Sequence, residues 1–141
     1  MDLSVLKLAF ARHVLDTLAR SDGFVEVIEQ AFVLEACPNA AMQWAGLMDE
    51  FGVLTAAYSE ATQEAMERLQ VELPIDERLG MLGLFFRLCL VDGHFDHGEG
   101  SLLYESARHL GISAHQFDRF LSLQEEVGEL DLDAPDTGET P

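Results

Sequence analysis

The sequence predicts an all-α fold, a single compact bundle of about seven helices, on three observations. Apolar residues recur at three- and four-residue steps through most of the chain, no stretch alternates apolar and polar residues cleanly, and there is no Asn-Gly hairpin turn. At 141 residues and 48% hydrophobic composition, the chain is sized for one domain that buries a core without disulfides or a structural metal.

Taken in order, Leu3, Leu6, Phe10, Val14 and Leu18 share one helical face, and Asp22-Gly23 breaks their pattern. Val25 to Cys37 reads as a second helix with Ile28, Phe32 and Leu34 inward. Pro38-Asn39 is a stop followed by an N-cap, and a third helix is expected from Ala40 to Thr55, carrying Trp44, Leu47, Met48 and Phe51. Ser59 is placed to cap a fourth, with Ala61, Ala65, Met66 and Leu69 apolar. Pro74 suits the first turn of a fifth, where Asp76 and Glu77 meet the positive end of its dipole. This helix runs to about Val91, is apolar nearly all round, and is expected to be the central, most buried one. After a loop from Asp92 to Gly98, a sixth helix reaches His109 and ends at Gly111 as a left-handed cap. Ser113 starts a seventh, with Phe117, Phe120 and Leu121 inward. The helical domain is therefore expected over residues 1–127. The tail of residues 128–141, with Glu129, Asp131, Asp133, Asp136 and Glu139, has the composition of a disordered segment.

A formal net charge of −18, with Lys7 the sole lysine, repels nucleic-acid backbones and anionic membrane surfaces. It favours cations instead, either metal ions or a basic patch on a protein partner. Cys37 and Cys89 lie in apolar helical stretches with no ligand spacing, as reduced buried cysteines of a reducing compartment do. Lys7, Arg12 and His13 interrupt the apolar start, so no secretory signal is predicted. The most apolar run, Leu79 to Val91, contains Arg87 and falls short of the about 20 residues a span needs. A cytoplasmic chain with no membrane insertion is the expectation.

The most informative feature is a repeat. Shifted by 70 residues, Asp22-Gly23 falls on Asp92-Gly93, Val25 on Phe95, Glu26 on Asp96, Glu29 on Glu99, and Phe32-Val33 on Leu102-Leu103. An apolar helix precedes each loop and a shorter amphipathic one follows, so the pattern reads as a duplicated helix–Asp-Gly loop–helix unit. Two such units bury their stripes best against each other, which would bring the loops to one face. The acidic sets are then Asp22, Glu26, Glu29 and Asp92, Asp96, Glu99. Their hard oxygens suit a divalent cation, Ca2+ first and Mg2+ or Mn2+ next. The plainer alternative is that these aspartates cap helices, the glycines end them, and the glutamates sit favourably at helix N-termini. An EF-hand does not fit: counting from Asp92, His97 stands where its glycine belongs and Leu103 where its glutamate belongs. His94 and His97 add donors for a softer metal, or are solvated loop residues. No nucleophile–base set and no phosphate-cradling glycine loop is present, so no enzymatic activity is expected.

With Leu18-Ala19-Arg20-Ser21-Asp22-Gly23 and Glu29, Cys89-Leu90-Val91-Asp92-Gly93 and Glu99, and Ala107-Arg108-His109-Leu110-Gly111-Ile112-Ser113, the chain resembles the TerB-like family. These are the compact helical domains of tellurite-resistance proteins and of the N-terminal part of the DjlA co-chaperones. The resemblance covers roughly residues 5 to 122. It implies a bundle of about seven helices, a non-enzymatic stress-response role, an acidic cation-binding cluster at Asp22, Glu29, Asp92 and Glu99, and protein partners associated with membranes. Glu26 and Asp96 join that set from the repeat. The chain departs from the family in Ser21 and Val91, where alanine often precedes Asp-Gly, and in its extreme acidity. The alternative function is a protein–protein adaptor whose acidic or apolar face docks a partner without metal.

Overall fold

The computed structural model describes residues 1–21, 26–91 and 97–126, which form seven helices. The expected tail, residues 128–141, lies outside the described residues.

The first helix, α1 (Leu3–Ala19), buries Leu6, Phe10, Val14 and Leu18 along one stripe, with Ala9, Ala11, Leu15 and Ala19 beside them. The second, α2 (Val27–Ala36), starts two residues later than expected because Glu26 and Glu29 form a capping box that sets its first turn. Its inward residue is Val33; Ile28 is exposed, while Phe32 and Leu34 are half-buried.

The third helix is where the sequence expectation fails. In place of a helix to Thr55, α3 covers only Asn39–Trp44, and Pro38, not Asn39, occupies its N-cap. Gly46 takes a left-handed φ of 81°. The Leu47 amide then reaches back to the Met42 carbonyl (2.9 Å) and the Gly46 amide to that of Gln43 (3.1 Å), which closes the helix as a Schellman motif. The chain continues into a tight hairpin joined by an antiparallel bridge between Met48 and Leu54. Accordingly α4 (Ala56–Glu72) begins after Thr55, and Ser59, the expected cap, lies inside it.

The fifth helix, α5 (Ile75–Leu90), follows Pro74 with Asp76 and Glu77 in its first turn. Then come α6 (His97–His109) and α7 (Ala114–Glu126). Gly111, at φ 72°, ends α6 with a second Schellman motif: the Ile112 amide bonds the Ala107 carbonyl (2.9 Å) and the Gly111 amide that of Arg108 (2.9 Å). Ser113 and Gln116 exchange backbone and side-chain hydrogen bonds of 2.9 and 3.1 Å, a capping box that starts α7.

The central position belongs to α1, which packs on α4, α5, α2 and α6, and not to α5 as its apolar composition suggested. Small buried residues on α4, Ala61, Thr62 and Ala65, let it lie along α1. Phe10 meets Phe85 edge-on across α1 and α5 (6.1 Å), and Phe86 meets Phe120 on α7 (5.8 Å). Both cysteines are buried thiols. Among the described residues no helix is long and apolar enough to cross a membrane.

Candidate functional site

The 70-residue repeat is realised in the helices. Val27 opens α2 and His97, its counterpart, opens α6; α1 ends at Ala19 and α5 at Leu90. Burial follows the same register: Leu15 with Phe85, Leu18 with Leu88, Ala19 with Cys89, Val33 with Leu103 and Cys37 with Ala107 are buried in pairs. Packing is reciprocal as well, since α1 touches α2 and α6 while α5 touches α6 and α2.

Helix direction follows from two contacts. Lys7 Nζ pairs with Glu77 Oε1 (3.0 Å), and three residues further along α1, Phe10 meets Phe85. Position advances along both helices together, so α1 and α5 run the same way. The helix after α5 folds back on it, so α6 runs against α1. Leu102, in the early part of α6, lines a cavity with Arg20 and Ser21 at the end of α1, while His109 lies near Phe10. The chain therefore leaves α1 for residues 22–25 and enters α6 from residues 92–96 at one end of the bundle.

At that end stand the two glutamates that the register pairs. Glu29 is the third residue of α2 and 2% exposed; Glu99 is the third residue of α6 and 5% exposed. Glu29 Oε1 accepts the Glu26 amide (3.3 Å), which assigns it a capping task. Glu26 is half-buried at the N-cap. Asp22, Asp92, Asp96 and His94 lie outside the described residues, and His97 opens α6. Among the described residues no three His, Cys, Asp or Glu side chains gather closely enough to hold a metal ion.

Sequence reasoning missed a cavity of about 170 Å3 between α1, α4 and α6. Phe10, Val14, Leu18, Met66 and Leu102 line it, with His13, Glu105 and His109 among its polar groups. His13 and His109 are 96 positions apart, and no local spacing announces that they face one space.

Burial shifts two ionisable groups elsewhere, Cys37 and the half-buried Tyr58. Burial pushes the Cys37 thiol up to about 11, with Arg12 opposing and Asp16 adding, so it is a poor nucleophile at neutral pH. Burial likewise raises the Tyr58 hydroxyl to about 12, with Asp16 contributing. Comparison with family models, with curated proteins and with solved structures gives no match to this chain.

Proposed function

We propose that the chain is a non-enzymatic stress-response module of the TerB-like, tellurite-resistance kind. Its acidic end takes up a divalent cation, Ca2+ first and Mg2+ or Mn2+ next, on Asp22, Glu26, Glu29, Asp92, Asp96 and Glu99. One observation carries the reading: Glu29 and Glu99 occupy the same position in the two units, and both are buried at the end where the two loops attach. The capping of Glu26 by Glu29 is compatible with a cation, because a carboxylate offers two oxygens and about four lone-pair sites.

The test is thermal melting. A cation that binds the folded state at about 100 times its Kd adds about 2.7 kcal/mol of stability. Calcium should raise the melting midpoint above that in sodium chloride of equal ionic strength, and the double substitution Asp22→Asn, Asp92→Asn should abolish the difference while helical content persists. Should calcium, magnesium and manganese all leave the midpoint at the sodium chloride value, the cation reading is wrong.

A second reading, an adaptor that docks a protein partner without metal, is favoured by a separate observation. Trp44 and Phe51, the kind of residues that anchor interfaces, stand 93% and 82% exposed.

A further inference from the structure

The hairpin that replaces the expected end of the third helix is a stiff unit. The Asp49 side chain accepts the amides of Phe51 (2.8 Å) and Val53 (2.9 Å), and the Asp49 amide bonds the Val53 carbonyl (2.8 Å). The Thr55 amide bonds the Leu47 carbonyl (3.0 Å), and the Thr55 hydroxyl donates to the Gly46 carbonyl (2.8 Å). Gln43 ties the last turn of α3 to the hairpin through the Asp49 carbonyl (3.0 Å). Leu47 and Met48 anchor this unit in the core. Its side chains Trp44, Phe51 and Val53 are exposed, while Leu54 borders a separate cavity with His13, Arg20 and Ser21 towards the end of α1. Large apolar groups held in solvent by a rigid backbone lose little conformational freedom on binding, which is the economy of a preformed interface. Trp44 also borders a groove of about 530 Å3 that runs along the first turns of α1, with Val5, Leu8 and Ala41 as its apolar lining and Asp2 at its edge.

Charge identifies the occupant. From Ser21 to Glu67 the chain has no lysine, arginine or histidine, while Asp49 and Glu50 immediately precede Phe51 and Asp2 borders the groove. A second copy of this chain, at net charge −18, would be repelled, as would an anionic membrane. We propose that this surface docks a basic amphipathic helix of a partner protein, which seats apolar anchors against Trp44, Phe51 and the groove and sets lysine or arginine beside Asp2 and Glu50. The proposal deepens the adaptor reading and does not depend on the cation reading.

Trp44 is the sole tryptophan, so its emission reports on this surface alone. The full chain is titrated with a synthetic helix of leucine and lysine at amphipathic spacing, with its leucine–glutamine counterpart, with a scrambled leucine–lysine peptide, and with phosphatidylcholine vesicles, each in EDTA and in calcium. The expected result is a blue shift with the amphipathic basic helix only, weakening as salt is raised. Calorimetry should show about tenfold or greater loss of affinity in Trp44→Ala and in Phe51→Ser, with little change in Val71→Ser, an exposed apolar residue on α4. Equal binding of the leucine–glutamine helix would overturn the charge assignment and leave the adaptor reading standing. A shift with vesicles alone would make the surface a membrane contact. No shift with any probe, or undiminished binding by the Trp44 and Phe51 variants, would show that it is not a docking site. Agreement between the EDTA and calcium arms keeps the outcome separate from the fate of the cation reading.

Discussion

Arg12 holds three acceptors at once: Asp16 Oδ2 (3.1 Å), the Cys37 carbonyl (3.2 Å) and Asn39 Oδ1 (3.1 Å). It thereby pins the α2–α3 junction to α1, and its planar fork is what lets one side chain reach all three. Arg12→Ala is expected to cost about 1–3 kcal/mol in urea unfolding, because the Cys37 carbonyl loses this donor. Arg12→Lys should recover only part, since an ammonium does not reproduce the fork. The pH response comes from the neighbouring thiol. Cys37 is neutral when protonated, and burial raises it from 9.0 to about 11 in the folded chain, so its contribution to stability is full below pH 9. That contribution is lost as pH rises from about 9 towards 11, where the unfolded chain ionises and the folded chain does not. Tyr58 acts in the same direction from 10.0 to about 12. Stability should therefore fall above pH 9, and Cys37→Ala should make the fall shallower between pH 9 and 11. Glutamate 29 could be picked out from its spacing to Glu99; that both would be buried could not, because burial depends on how the helices pack.

At the scale of elements, capping chemistry decides the boundaries. Ser113 and Gly111 were both visible in the sequence, and α7 and the end of α6 fall where they point; the Gln116 half of the capping box emerged only in the structure. Gly46 carried the same signal two positions after Trp44, but Trp44, Leu47, Met48 and Phe51 continue a three- and four-residue spacing that mimics a helix. Their burial separates the two explanations: Leu47 and Met48 are buried, Trp44 and Phe51 exposed, a split that one helical stripe does not produce. Thr55, and not Ser59, precedes α4 because the hairpin delivers the chain there in an extended conformation, with ψ 170°. Gly111 is the most demanding of these positions. It has φ +72°, and a Cβ would stand 2.7 Å from Gln70 Cβ, an atom fixed to the α4 backbone. Gly111→Ala is expected to cost about 2 kcal/mol or more, through left-handed strain and overpacking together. A variant within a few tenths of a kcal/mol of the parent, by chemical denaturation, would show that α6 does not need this cap.

For the whole molecule, the duplication was legible because its two units keep one register in both spacing and burial. What the sequence did not reveal was which helix takes the centre. Hydrophobicity pointed to α5, whereas α1 wins the position because the alanines of α4 allow close approach along it. The parallel course of α1 and α5, set by the Lys7–Glu77 and Phe10–Phe85 contacts, was equally hidden, and it is what brings both loop attachments to one end. The cation proposal places one ion at this end, shared by the two units. The most direct measurement is a calcium titration followed through backbone amide NMR shifts at constant ionic strength. A shared site predicts that amides adjoining both loops, Ser21 and Glu26 to Gln30 in one unit and Val91 and His97 to Ser101 in the other, move along a single saturable curve. Shifts confined to one unit, or spread over the acidic surface without saturation, would contradict it.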